Sequence, residues 1–337
     1  MNLYSQNGCL KGDFFYTIPL CGDYIVAIDI ELDRIYIHEL PNQVQDIYAL
    51  IEDKENGLLC LSRDGTVFLY DIKHNSFEKS KSIKSQEGCF FSCMVTDNTL
   101  YRFPGNSSCI SVVELQNMNN INVELGIKSV RKPLFGKSCI AYKNNIILNT
   151  IYPNDIGGYL AIFEQESERI KIAIKGITER GFTDLGVLGN SVIGMTADGT
   201  VFDIDIEKEA IINFSAESFI YDKGYRNMVI REEYIYCFSK DTGEIIVHSR
   251  TENKNRIIKT SYEGFYGIFF IRESRYITIA NAGSVVLFEL IDGDIKITKN
   301  YNCVGERNFE RDYSNRLVIG ERDGDLARFI KRVEEQE

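Results

Sequence analysis

The residues of this 337-residue chain whose types could do chemistry are three histidines, nine cysteines and a scatter of Asp-Gly pairs. Nucleophilic catalysis would need a serine or cysteine beside a histidine and an orienting acid. His38 closes an alternating apolar run, His74 lies in Lys73-His74-Asn75, and His248 sits in a run whose neighbours are apolar. Such isolated histidines are expected to be structural, and three of them on separate segments do not make a metal cluster. The cysteines show neither CxxC nor a Cys/His zinc spacing. Cys60 in Leu58-Leu59-Cys60-Leu61 and Cys139 in Ser138-Cys139-Ile140-Ala141 read as small core hydrophobes in a reducing compartment. Cys89 and Cys93 would share one face of a strand, without the surroundings of a redox pair.

Asp198-Gly199 and Asp323-Gly324-Asp325 offer carboxylates and bare backbone to a calcium ion, but the EF-hand spacing is absent and hairpin geometry accounts for them. Asn154-Asp155-Ile156-Gly157-Gly158 is expected to be a longer hairpin loop. The phosphate-loop and dinucleotide patterns are both missing. Adjacent acids such as Glu232-Glu233 read as solvated. The expectation is therefore no catalytic residue, no cofactor and no metal.

Acidic residues outnumber basic ones 49 to 38, for a net charge of −11. A protein that tracks phosphates needs a basic surface, so neither nucleic acid nor an anionic membrane is an expected partner, and a basic partner would be steered here. Met1-Asn2-Leu3-Tyr4-Ser5 lacks the basic start and apolar stretch of a secretory signal, and no apolar run approaches the roughly 20 residues that span a bilayer. A cytoplasmic location is expected.

The elements that must carry these residues are short strands. Leu58 to Ser62 reads as a strand, Arg63-Asp64-Gly65 supplies a tight turn, and Thr66 to Ile72 returns. The unit recurs at Ser191 to Ile206, Tyr234 to Ser249, Tyr276 to Leu290 and Leu317 to Ile330, with looser copies at Tyr24 to Leu40, Thr99 to Leu115 and Ile146 to Phe163. Five residues after the turn glycine stand Tyr70, Phe163, Ile204, His248, Phe288 and Phe329, all but the histidine large and apolar. One buried side of the return strand would produce this pattern. A glycine, often followed by an aromatic, precedes an apolar strand at Gly12, Gly88, Gly181, Gly224 and Gly264, and Gly136 and Gly305 fit the same place less fully. From Gly88 onward the steps are 40 to 48 residues, and the 76 from Gly12 to Gly88 leave room for two units. Such a period, with four short strands per unit, predicts an all-β, closed β-propeller of four-stranded blades, eight blades favoured over seven. Residues 1–333 form one domain in this reading, with 334–337 a polar tail. The asparagine-rich run Asn117 to Asn122 reads as a loop.

Ser62-Arg63-Asp64-Gly65-Thr66-Val67-Phe68-Leu69-Tyr70-Asp71 resembles the hairpin between the second and third strands of a WD40 repeat, with Tyr70 where that family has tryptophan. Thr196-Ala197-Asp198-Gly199-Thr200-Val201, with Asp205 in place, is similar, and the landmark glycines stand where the family carries Gly-His. The chain has no tryptophan, and no histidine follows a landmark glycine. The Asp-His-Ser/Thr-Trp hydrogen-bond network of WD40 blades therefore cannot form, and apolar packing between blades must replace it. The resemblance implies that an N-terminal strand completes the last blade. It also implies that the Gly-aromatic junctions share a face with the second-to-third-strand turns.

On that face the expected partner contacts are Phe90, Tyr225, Arg226, Tyr266 and Arg307. Aromatics and arginine anchor interfaces, and Arg226 and Tyr266 carry polar tips that Phe182 and Phe265 lack. The alternative for the aromatic rings is to wedge between blades. The functional expectation is a non-catalytic scaffold for a protein or peptide. The competing one is an enzyme or small-molecule binder at the channel mouth using Asp13, Asp46, Asp184, Arg226 and Arg307, and a purely architectural subunit is a third.

Overall fold

Runs of β-branched and aromatic residues broken by turn residues become strands throughout. In the computed structural model every regular element among the described residues is a β-strand. The structure describes residues 8–18, 24–32, 34–41, 47–52, 57–62, 66–72, 74, 76–78, 90–96, 98–104, 109–117, 119–124, 134–151, 159–174, 181–214, 224–280, 284–303 and 319–320.

Among the described residues the strands form seven sheets, each an antiparallel meander whose strand order follows the chain. The first holds β1 (Gly8–Lys11), β2 (Phe14–Thr17), β3 (Tyr24–Asp29) and β4 (Arg34–Glu39), and the second β5 (Ile47–Glu52), β6 (Gly57–Ser62), β7 (Val67–Asp71) and β8 (Ser76–Glu78). The third holds β9 (Phe90–Thr96), β10 (Thr99–Pro104), β11 (Cys109–Glu114) and β12 (Asn119–Glu124). The fourth holds β13 (Leu134–Tyr142), β14 (Asn145–Ile151), β15 (Tyr159–Glu164) and β16 (Arg169–Ile174). The fifth holds β17 (Phe182–Leu188), β18 (Ser191–Thr196), β19 (Val201–Asp205) and β20 (Ala210–Phe214). The sixth holds β21 (Tyr225–Arg231), β22 (Tyr234–Ser239), β23 (Glu244–Ser249) and β24 (Lys254–Lys259). The seventh holds β25 (Phe265–Arg272), β26 (Arg275–Ala280), β27 (Ser284–Ile291) and β28 (Asp294–Cys303), to which β29 (Ile319–Gly320) adds.

The chain divides into two units: Met1–Ser62, Phe68–Lys79 and Phe265–Glu337 in one, Arg63–Val67 and Ser80–Gly264 in the other. In the first unit β1 lies against both β25 and β5. Its core includes Phe15, Val26 and Ile28 packed with Ile277, Val285 and Leu287 from the seventh sheet. In the second unit β9, β13, β17 and β21, all first strands, lie side by side in succession. Face-to-face sheets supply its core, as where Phe103 and Ile110 meet Ile146 and Leu148. Adjacent sheets thus bury each other's apolar faces, at roughly 1.5–3 kcal/mol for each large side chain.

The count of eight blades is corrected: among the described residues there are seven sheets, six of four strands and the seventh with β29 added as a fifth. Seven of the eight expected hairpins fall one to a sheet. Of the eighth, Leu317 to Ile330, the described residues contain only β29, and that strand extends the seventh sheet instead of opening another: Asn302 pairs with Gly320 and Cys303 with Ile319. The glycine landmark also misplaced the beginning of the repeat. Gly12 lies in the β1–β2 turn with φ of +59°, and the first sheet opens at Gly8. The second sheet opens at Ile47, which no glycine announces. The hairpin Tyr24 to Leu40 is accordingly the third-to-fourth-strand pair of its sheet. The asparagine-rich run is a turn followed by strand β12 instead of a loop, with the Asn119 amide donating to Asn117 Oδ1 at 2.9 Å. Phe329 and the expected closing strand near residues 329–333 lie outside the described residues.

The register expectation holds where it is described: Tyr70, Phe163, Ile204, His248 and Phe288 are all buried. Tyr70 stacks on Phe77 with ring centroids 4.6 Å apart, which is how the tryptophan position is filled without an indole.

Candidate functional site

In the second unit the second-to-third-strand turns and the junctions into first strands meet at one end of the sheets. The turn between β18 and β19 is closed by Gly199 N–H on the Thr196 carbonyl at 2.9 Å, and Asp198 Oδ1 accepts from the Thr200 amide at 3.0 Å. Gly199 has φ of +87°, and a Cβ there would sit 2.5 Å from Ile246 Cδ1, so both backbone and space demand glycine. The next junction docks on this turn, with Tyr225 N–H donating to the Ala197 carbonyl at 3.0 Å. In the sixth sheet Lys240 N–H donates to the Gly224 carbonyl at 3.0 Å, and Ser239 Oγ caps the turn by accepting from the Asp241 and Thr242 amides at 3.1 Å. At Gly264 a Cβ would stand 1.8 Å from the Lys240 carbonyl oxygen. Gly264 is thus a point of close backbone approach, whereas at Gly224, with φ of +66°, a Cβ would meet the Asp241 side chain.

At the start of five first strands the strand departs from regular pairing by one residue. Phe182 pairs with Thr196 and Asp184 with Met195, which leaves Thr183 as an extra residue. Arg226 is extra in β21, between the pairs Tyr225–Ser239 and Asn227–Phe238. Tyr266 holds the same place in β25, Tyr48 in β5 and Phe91 in β9. A bulge of this kind leaves a residue out of the ladder and re-aims its side chain.

The bulge separates the expected contact residues. Phe182, Tyr225 and Phe265, at the position before it, are buried, Tyr225 among Ile193, Met195 and Ile246. The rings of Phe182 and Tyr225 wedge between sheets, so direct contact with a partner is not open to Tyr225 in this conformation. Arg226 and Tyr266, at the bulge itself, are half-buried. Phe90 opens β9. Arg307 lies outside the described residues.

Of the channel-mouth acids, Asp13 is exposed in the β1–β2 turn, and Asp46 lies outside the described residues. Asp184 is different. Its Oδ1 accepts from Ser138 Oγ at 2.7 Å and from the Leu185 amide at 2.9 Å, and its Oδ2 accepts from the Met228 amide at 2.7 Å. One carboxylate therefore ties β13, β17 and β21, the first strands of three successive sheets. Burial pushes its carboxyl up to about 6, against the pull of those three hydrogen bonds. Nothing in the sequence distinguished Asp184 from other acids near a strand start, because its partners lie 46 and 44 residues away.

His248 is buried, with Nε2 donating to the Gly199 carbonyl at 3.1 Å and Nδ1 meeting the side-chain amide of Asn255. It spans from the sixth sheet to the turn of the fifth, which fits its expected structural role. His74 is exposed and pairs with Asp71 at 2.7 Å. Burial raises the thiols of Cys60, Cys93 and Cys237 well above their ordinary value, which suits inert core residues. Among the described residues no three His, Cys, Asp or Glu side chains are grouped closely enough to hold a metal ion.

No protein-family model matches the sequence, and no curated protein sequence matches it. Solved structures do match. The β-propeller domain of Cps50 (Swd1) from Myceliophteria thermophila superposes with a TM-score of 0.62 at 12% identity, covering 82% of this chain and 94% of that one. The WD40 β-propeller domain of Doa1 gives 0.58 at 15% identity over 76% and 82%. The fold is a WD40-like β-propeller. The computationally designed Ika8 protein also superposes, at a TM-score of 0.61 and 13% identity over 89% of this chain and 90% of that one.

Asp205 and Asp71, which stand where the WD40 repeat resembled here has the aspartate of its Trp-Asp pair, each have a local role in this fold. Asp205 Oδ1 accepts from the Glu207 and Lys208 amides at 3.0 Å, and Asp71 accepts from the His74 amide at 3.2 Å. Both cap the turn into the fourth strand.

Proposed function

We propose that this propeller is a non-catalytic scaffold that grips a protein or peptide on the face where its second-to-third-strand turns meet the junctions into first strands. The observation that carries the reading is the bulge at the second position of five first strands, which delivers a variable residue at one end of each sheet. Arg226 and Tyr266 occupy that position with interface-forming side chains. Phe90, Tyr225 and Arg307 complete the proposed set, Tyr225 as the buried support of Arg226 and not as a contact. The net charge of −11 supports a protein partner over nucleic acid or an anionic membrane. A cytoplasmic setting belongs to the same proposal, supported by buried free thiols at Cys60, Cys93 and Cys237.

Quantitative co-purification from native extract tests the proposal. A stoichiometric partner of the wild-type protein should be weakened at least about tenfold by Arg226→Ala or Tyr266→Ala and not by Lys208→Ala on the far turn. Wild-type retention by both single variants, with their melting temperatures unchanged, would sink the assignment of this face.

A further inference from the structure

Strand β24 reads Lys-Asn-Arg-Ile-Ile-Lys, three cations and no acid in a chain of net charge −11. It is the last strand of the sixth sheet, and among the described residues it pairs only with β23. Lys254, Arg256, Ile257 and Lys259 are all exposed. Two ion pairs there are loose: Lys254 Nζ stands 3.7 Å from Glu252, and Lys259 Nζ 3.8 Å from Glu244, with the lysine side chains 77% and 80% exposed. Pairs so solvated are worth little, so a partner's carboxylates can compete for those ammoniums.

The backbone of this edge is oriented by register. Thr260 N–H donates to the Gly243 carbonyl, and Ile258, Arg256 and Lys254 stand opposite Ile245, Val247 and Ser249. Alternation along an antiparallel ladder then turns the backbone groups of those three residues toward β23, and the N–H and C=O groups of Asn255, Ile257 and Lys259 outward. An outer strand of this fold can take an additional one: β29 pairs onto β28 in the seventh sheet.

We propose that the outer edge of β24 docks an acidic, extended segment of a partner protein, which adds as a fifth strand to the sixth sheet. Main-chain hydrogen bonds to Asn255, Ile257 and Lys259 would supply the affinity, an apolar side chain of the segment would cover Ile257, and Lys254, Arg256 and Lys259 would select for acid. This surface is separate from the bulge-lined face proposed above.

The probe is a fluorescein-labelled heptapeptide alternating glutamate and valine, read by anisotropy. Its controls are a lysine–valine twin and a glutamate–valine twin N-methylated at alternate residues. The glutamate peptide should bind saturably, the lysine twin should not, and raising salt from about 0.05 to about 0.5 M should weaken binding roughly tenfold or more. Ile257→Pro removes an outward N–H and leaves the β23 ladder intact, a substitution edge strands tolerate. It and the N-methylated twin should each lose at least about tenfold in affinity, whereas Arg226→Ala should lose none. If Ile257→Pro does not fold, the N-methylated peptide and the triple variant Lys254→Glu/Arg256→Glu/Lys259→Glu decide. Absence of saturable binding, or equal binding of the N-methylated peptide, overturns the proposal. So does sedimentation showing a dimer that Ile257→Pro dissociates, which would assign the edge to a second copy of this chain.

Discussion

Replacing Asp184 by asparagine should flatten one segment of the stability–pH profile. The carboxyl titrates near 6 in the folded chain, against 3.8 for an unperturbed group, because burial costs the anion more than its hydrogen bonds return. The folded state therefore holds a proton between about pH 4 and 6 that the unfolded state has released, and linkage makes stability fall as pH rises through that window. The contribution is complete below the unfolded value and lost once pH passes the folded one. A shift of about two units corresponds to roughly 3 kcal/mol. Asparagine keeps one acceptor but presents an NH2 toward the Ser138–Leu185 side or toward the Met228 amide, leaving a donor unmet at a cost of about 1–3 kcal/mol. Denaturant unfolding of wild type and Asp184→Asn from pH 4 to 7.5 checks this. The stability advantage of wild type should shrink by up to about 3 kcal/mol between the acid and neutral ends. Carboxyl carbon shifts of labelled aspartate would give the titration directly. Parallel profiles, or an Asp184 midpoint near 4, would refute the claim that this carboxylate is held in a desolvated tie between three sheets.

Two further substitutions test the local arguments. Gly189 and Gly243 have nearly the same φ, +58° and +59°, but a Cβ at Gly189 meets open space and one at Gly243 would stand 1.7 Å from the Tyr262 carbonyl oxygen. Gly189→Ala should cost about 1 kcal/mol from backbone strain alone, and Gly243→Ala at least about 2 kcal/mol more, read as a difference in denaturation midpoints. His248→Phe installs the apolar type found at that register elsewhere, yet should destabilise by about 1–3 kcal/mol in thermal unfolding because the buried Gly199 carbonyl loses its donor.

The repeat was legible because each hairpin advertises itself locally, through alternation and a turn glycine. Residues such as Tyr70 and Ile204 could therefore be placed in the core before any coordinates. The number of sheets was less legible. Gly12 imitates a junction glycine although it serves a turn, Ile47 opens a sheet unannounced, and the Leu317 to Ile330 segment has the pattern of a hairpin while its described strand merely extends the seventh sheet. Local patterns report turns and faces, whereas the sheet to which a strand belongs depends on pairing partners the pattern does not encode. The site shows the same division. The aromatics after Gly181, Gly224 and Gly264 were visible, but a one-residue bulge decides that Tyr225 is enclosed and Arg226 delivered, and no residue type marks that bulge.

The missing tryptophan network raises the question of what sets sheet against sheet. Apolar packing supplies area but is non-directional, and a propeller needs each sheet at a defined angle and height relative to the next. In the second unit the directional contacts are individual polar ties. Asn149 Nδ2 donates to the Phe182 carbonyl, Tyr142 Oη to the Asn190 carbonyl at 2.6 Å, His248 Nε2 to the Gly199 carbonyl, and Asp184 holds Ser138 and Met228. Each joins neighbouring sheets, and no two use the same residue types. A repeated network constrains every blade alike, so its residues reappear in register and sequence models recognise them. A set of unique ties needs only that each interface hold some buried donor–acceptor pair, which leaves the residues free to diverge. That arrangement accords with a chain that superposes on WD40 propellers at 12–15% identity while matching no family model. It also locates the stability of this unit in a few replaceable side chains, with Asp184 joining more sheets than any of the other ties named here.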